Sequence, residues 1–303
     1  MKKILSILMA AVLAISLAAC GSSADNDAGA GSNVQKPSDA STSSPAVEET
    51  APPERQEAAI SETILLDEAG IKITAKSLDP DALFGAEVKL LIENDSGSDL
   101  TFQCRNASVN GYMVETMMSV DVVNGKKAND SLTFLRSDLD TCGIGAIADM
   151  EFSFHIFTTE GWDDYLDTPQ IQLKTAISHA YEYTFDDSGD LVYDESGVKV
   201  VIKELVEDSS FLGPGIMVYI ENSSGKNITV QTRDVSINGF MVNPVFSSDV
   251  VSGKHALDTI TFLSSELEEN EITAIETAEL SFHIFESDGW DTIADTDAIT
   301  ISF

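Results

Sequence analysis

Beyond about residue 60, apolar and polar positions alternate with a period of two. Val88, Leu90 and Ile92 alternate with Lys89 and Glu93, and Ile216, Val218 and Ile220 are separated by Met217 and Tyr219. Phe152, Phe154 and Ile156 point one way and Glu151, Ser153 and His155 the other. A period of two puts alternate side chains on opposite faces of a β-strand. Asn110-Gly111, between Val109 and Tyr112, is a two-residue hairpin signal that returns at Asn238-Gly239. Asp67-Glu68-Ala69-Gly70 and Asn124-Gly125 read as further turns. The only helices expected follow Ser137 and Ser265, and Ser265-Glu266-Leu267-Glu268 has the spacing of a capping box.

These signals occur twice. SFHIF at 153–157 returns at 281–285, and an ungapped shift of 128 matches 42 of 90 residues from Gly85 to Lys174. Other matched blocks are IEN (92–94 and 220–222), Thr133-Phe134-Leu135 with Thr261-Phe262-Leu263, and Gly161-Trp162-Asp163 with Gly289-Trp290-Asp291. The chain is read as a tandem duplication, 61–178 and 179–303, each copy of ordinary domain size. About seven short strands per copy predict an all-β fold: two tandem immunoglobulin-like antiparallel β-sandwich domains.

The first sixty residues have a different character. Lys2 and Lys3 precede an apolar stretch, Leu5–Leu17, too short for a stable membrane span. Leu17-Ala18-Ala19-Cys20 then resembles the bacterial lipobox, which implies a signal peptide over 1–19 and a diacylglyceryl group on Cys20. Residues 20–60 are rich in Gly, Ser, Ala, Asp and Pro and read as a disordered acidic linker. About forty such residues reach roughly 35 Å as a flexible coil. The expected location is the extracytoplasmic face of the membrane, held by the lipid.

Charge narrows the partners. The formal net charge is −34, and loss of Lys2 and Lys3 makes it more negative still. Such a chain repels phosphate backbones, so no nucleic-acid partner is expected. A protein or glycan in the envelope or outside it is compatible. Besides Cys20 there are only Cys104 and Cys142, and the second copy has Thr232 and Asn270 in their places. Joint presence in one copy marks them as a candidate disulfide, worth roughly 3–4 kcal/mol in the chain-entropy model, or else as two unpaired thiols.

Candidate contact residues are few. Trp162-Asp163 and Trp290-Asp291 follow the repeated strand in a loop, where a Trp beside a carboxylate suits a sugar ring or a protein partner. The alternative is that each Trp plugs the end of its own sandwich. His155 and His283 fall on the outward side of SFHIF, as ligand or pH-sensing groups or as hydrogen-bonded sheet residues. A single His per copy without companions at zinc spacing gives no metal expectation, and no cofactor is expected. Asp186-Asp187-Ser188-Gly189-Asp190 lacks the EF-hand spacing and reads as a hairpin turn between copies. No G-x-S-x-G, H-E-x-x-H, phosphate-binding loop or dinucleotide fingerprint occurs, so an enzyme is not expected.

With its lipobox, acidic stalk and the phrases VNGYMV, GKKAND and SFHIF, the chain resembles lipoproteins of Gram-positive bacteria that carry immunoglobulin-like repeats. The resemblance implies an extracytoplasmic, lipid-anchored protein and carries no active site with it. The leading expectation is a binding or interaction protein of the envelope. The alternative is an envelope-associated enzyme or accessory acting on polysaccharide.

Overall fold

The computed structural model describes residues 58–303. The segments read as signal peptide and lipidation site, and nearly all of the expected linker, lie outside the described residues. Residues 58–60, assigned above to the linker, belong with the folded part. Ala58 and Ile60 pack on the first core, and Ala59 O accepts a hydrogen bond from Ala176 N at 2.8 Å.

The chain is all-β. The first copy runs β1 (Thr63–Glu68), β2 (Ile71–Ala82), β3 (Gly85–Asn94), β4 (Leu100–Val109), β5 (Tyr112–Met113), β6 (Thr116–Met117), β7 (Ser119–Val122), β8 (Lys126–Leu135), α1 (Arg136–Thr141), β9 (Asp149–Thr158), β10 (Asp164–Asp167) and β11 (Ile171–Lys174). The second runs β12 (Asp190–Glu195), β13 (Val198–Ser210), β14 (Gly213–Asn222), β15 (Ile228–Ile237), β16 (Phe240–Met241), β17 (Ser247–Val250), β18 (Lys254–Thr261), α2 (Ser264–Glu269), β19 (Thr277–Glu286), β20 (Thr292–Asp295) and β21 (Ile299–Ser302). Strands are more numerous than the sequence suggested because bulges and two-residue pairings break the longer runs.

Each copy is sandwich-like, with its core between two sheets. In the first, Ile73, Val88, Ile92 and Phe134 of the β1-β2-β3-β8-β6 sheet meet Phe102, Phe152, Phe154 and Ile156 of the sheet built on β4 and β9. The second core repeats this with Val200, Val218, Ile220 and Phe262 against Val230, Leu280, Phe282 and Ile284. SFHIF is therefore a core strand, with Phe154, Ile156, Phe282 and Ile284 sealed at 0–1 % exposure.

Local chemistry explains several repeated phrases. Asn110 and Gly111 take positive φ of 51° and 88°, as a tight hairpin requires. The Asn of IEN staples the following turn. Asn94 Nδ2 donates to Ser98 O (2.8 Å) and Val122 O (2.6 Å) while its Oδ1 accepts from Ser96, and Asn222 does the same. The capping box is a correction. Helix α2 starts at Ser264 with Leu263 as N-cap and no side-chain cap, so Ser265 already lies inside the first turn and cannot cap it for Glu268 to answer.

The two copies are also joined. The β4–β9 sheet of the first and the β12-β13-β14-β18 sheet of the second form one ten-stranded sheet, linked by a parallel pairing of Tyr112 on β5 with His255 on β18. Residues 186–190, expected as a hairpin turn between copies, do not form one, since β11 pairs with β9 and β12 with β13. The stretch before β12 runs along this seam, where Phe185 packs on the Tyr112–Tyr219 cluster. Lys199 holds Asp187, and Lys203 holds the carboxylate and carbonyl of Asp186. Hydrogen bonds from Ser188, then Lys203, lower the Asp186 carboxyl to about 2. No helix among the described residues is long and apolar enough to cross a membrane.

Candidate functional site

The selected His and Trp come together in each copy, through a Phe between them, as an aromatic stack at the β9–β10 and β19–β20 hairpins; Asp163 and Asp291 only follow the Trp in sequence. The outward positions of β9 after Ser153 are His155 and Phe157. The turn that follows returns Trp162 over Phe157, with ring centroids 5.4 Å apart and planes at 16°. His155 lies on the other side of Phe157 at 5.2 Å. In the second copy Trp290 stacks on Phe285 at 5.5 Å and 14°, and His283 on Phe285 at 4.9 Å.

The outer ring of each stack faces solvent. Phe157 and Phe285 are 4 % exposed, whereas Trp162 and Trp290 are each 75 % exposed. The tryptophans therefore do not plug the sandwiches; each caps a buried Phe and leaves its own outer face free. Both sit in the left-handed backbone region, at φ 57° and 62°, which costs a bulky residue about 1–2 kcal/mol. The turn enforces it: Trp162 N donates to Thr158 O at 2.9 Å and Thr158 N to Asp163 O at 2.9 Å, with Trp290, Glu286 and Asp291 repeating the pattern. A Cβ at Gly161 would stand 2.7 Å from the Asp163 carboxylate, which would have to turn aside. Asp163 and Asp291 are exposed beside the rings.

The histidines are held by carboxylates on the neighbouring strand. His155 Nδ1 lies 2.5 Å from Asp167 Oδ1, and His283 Nδ1 lies 2.6 Å from Asp295 Oδ1, which Arg233 also binds at 3.0 Å. Such a pair fixes a ring's orientation. No hydroxyl or thiol among the described residues is hydrogen-bonded to either imidazole. Its visible work is to set the inner ring of the stack.

The sequence reading did not anticipate the seam and the cleft beside it. Tyr112, Val201 and Tyr219 form a separate buried cluster with Phe185 and Leu257 packed against it. Phe185 stacks on His255 at 3.6 Å, and the Tyr219 hydroxyl and His255 Nδ1 share a hydrogen bond of 2.6 Å. Burial lowers the His255 pKa. The available signal was Tyr219, an aromatic on the outward phase where the first copy has Leu91. The cleft, about 730 Å³, lies between the copies and carries Glu115, Asp138, Asp249 and Asp258, with Arg105 at its wall. Burial, with Asp138 nearby, raises the Asp258 pKa.

Three of these acids have structural jobs that recur where there is no cleft. Asp138 receives Glu115 N as Glu266 receives Asn243 N; Asp249 accepts from Thr229 as Asp121 does from Thr101; Asp258 receives Thr259 N as Asp130 receives Ser131 N. Among the described residues no group of three or more His, Cys, Asp or Glu could hold a metal ion. The stacks, not the cleft, are the better-built candidate.

Cys104 and Cys142 are free thiols rather than a disulfide. They belong to different packing groups: Cys104 on β4 packs on the first core and lines the cleft, while Cys142 after α1 packs on the Tyr112–Tyr219 cluster. Burial pushes both pKa values up to about 12 from 9.0. A three-unit rise leaves about a thousandfold less thiolate, the reactive form, at pH 8. Ellman's reagent is accordingly expected to modify both thiols at least a hundredfold more slowly in the native chain than in 6 M guanidinium. Equal rates would show that the thiols are open to solvent.

No family model matches the chain, and no curated protein matches it. Among solved structures, a crystal structure of the YadV chaperone is similar over 72 % of this chain and 92 % of that one, at 10 % identity and a TM-score of 0.22. A likeness at that score carries no argument about function.

Proposed function

We propose that this chain is a lipid-anchored, extracytoplasmic binding protein of the bacterial envelope, with two immunoglobulin-like modules whose tryptophan stacks each take a sugar ring of a glycan. One observation carries the reading: Trp162 and Trp290 are held in a strained backbone, seated on a buried Phe and left 75 % exposed, identically in both copies. A flat indole fixed in place loses little freedom on binding, and its face suits the apolar face of a pyranose. Asp163 and Asp291 beside it can accept hydrogen bonds from sugar hydroxyls. Two equal sites on one chain suit a repeating polymer, where the second contact is made at raised effective concentration.

The chain's only tryptophans are these two, so intrinsic fluorescence reports on the sites alone. Acrylamide is expected to quench the emission almost as it quenches free indole. Titration with soluble cell-wall glycan fractions is expected to shift the emission to shorter wavelength and to protect it from the quencher. Strong quenching that no glycan fraction relieves would reject the sugar reading and leave the stacks as protein-contact surfaces.

A further inference from the structure

The seam between the copies has two halves, and each half recurs uncovered on the other copy. The first copy contributes the β4–β5 hairpin. Gly111 O accepts from His255 N at 2.9 Å, Tyr112 is 8 % exposed, and Glu151 binds Lys254 at 2.6 Å. The second contributes Lys254, His255 and Leu257 at the start of β18, with Val251 just before them at 8 % exposure.

A shift of 128 maps the hairpin half onto Gly239, Phe240, Met241 and Glu279, and the strand half onto Val123, Lys126, Lys127 and Asn129. Phe240 is 49 %, Met241 67 % and Val123 53 % exposed. Lys126, Lys127, Asn129 and Glu279 are exposed as well. Strand β8 is paired with β3 on one side, but on the other it meets β6 only at Thr133 and Phe134, so its edge near Lys127 has no strand partner among the described residues. Neither Lys126 nor Glu279, the counterparts of the Lys254–Glu151 pair, has an ion-pair partner among the described residues.

We propose that this chain binds a second copy of itself head to tail, with the β15–β16 hairpin and Glu279 of one molecule on the open β8 edge of the next, as its own two copies meet. The exposed apolar residues of β16 then gain the cover that Tyr112 and Met113 already have, and Lys126 gains Glu279. Because the two halves lie on opposite copies, the contact does not close on itself and extends into a row of molecules. It is weaker than the internal seam, since the acceptor face has Leu91, Lys127 and Asn129 where the second copy has Tyr219, His255 and Leu257. Mutual repulsion between such acidic chains weakens it further at low salt. Anchorage in one membrane plane would offset both by raising local concentration.

The register pairs Phe240 of one molecule with Lys127 of the next, which supplies the test. Full-length chains carrying only Phe240→Cys and chains carrying only Lys127→Cys are placed together in vesicles at physiological salt and treated with a short bis-maleimide. A heterodimer is expected from the mixture, several-fold above either variant alone, and a chain carrying both changes is expected to give trimers and larger species. Adding Glu279→Lys is expected to cut the yield at least threefold, and combining it with Lys126→Glu to restore it. No crosslink, although both thiols are labelled by a monofunctional maleimide, would overturn the proposal. So would a Phe240→Cys homodimer insensitive to charge reversal, which would mean an isologous pair. An unchanged far-UV circular dichroism spectrum and urea midpoint in each variant show that the fold is kept.

Discussion

Phe282→Ala is expected to destabilise the second copy by about 3–5 kcal/mol, the usual cost of deleting a fully buried ring whose cavity cannot collapse. Phe282 is 1 % exposed and sits mid-strand on β19, paired with Thr232 of β15, inside a core of Val, Ile and Leu. Phe154→Ala in the first copy is expected to cost as much or somewhat more. Its ring also packs edge-on against Phe152 at 5.5 Å, which in turn packs on Phe134 at 6.2 Å, and aromatic pairs add about 0.5–1.5 kcal/mol beyond their buried area. Urea unfolding followed by far-UV circular dichroism measures both, as a shift of midpoint at constant slope. A loss below about 1 kcal/mol would mean that SFHIF is not a core strand.

Trp162→Ala combined with Trp290→Ala is expected to do the opposite, sparing the fold and removing the function. Each ring is mostly in solvent, so each change should cost about 1 kcal/mol or less, chiefly through uncovering Phe157 or Phe285. Alanine keeps the left-handed strain that tryptophan bears, so no stability is recovered; Trp290→Gly should recover part of it. Glycan retention should fall about tenfold for either single change and at least a hundredfold for the pair, because the second site acts through effective concentration. Affinity chromatography on an immobilised glycan that responds in the fluorescence titration makes the comparison. Undiminished retention of the double variant would remove the stacks from the binding surface.

The strands, their faces and the duplication were legible because each rests on local chemistry that a single chain displays. Val88, Leu90 and Ile92 alternate, Asn-Gly forms a tight turn, and SFHIF appears twice. The stack was half legible. Trp162 and His155 could be selected by type, but Phe157, the ring that brings them together, looks like one more core residue until the hairpin closes over it. Spacing also could not tell an exposed Trp from a plug, since that depends on a turn which sets φ at Trp162. The thiols stayed open between a disulfide and two unpaired groups for a related reason: Cys104 and Cys142 are linked by their joint absence from the second copy, yet β4 and the end of α1 present them to different packing groups. The seam was least legible. Tyr219 and His255 take their meaning from residues more than a hundred positions away, Tyr112 and Gly111, which no local pattern connects to them.

The duplication also poses a problem of assembly order. SFHIF is identical in β9 and β19, while their partners β4 and β15 agree only at Thr, Gln, Arg and Ser. A half-folded chain could therefore insert the later strand into the earlier sheet with few clashes to reject it, a misassembly typical of repeated domains. Synthesis separates the two events. At about 5–20 residues per second, an offset of 128 residues delays the second strand by roughly 6–25 s. Domains of this kind fold within seconds, so the first copy can close on its own strand before the rival exists. Refolding from denaturant removes that head start, and the mispaired product should accumulate there rather than in the cell.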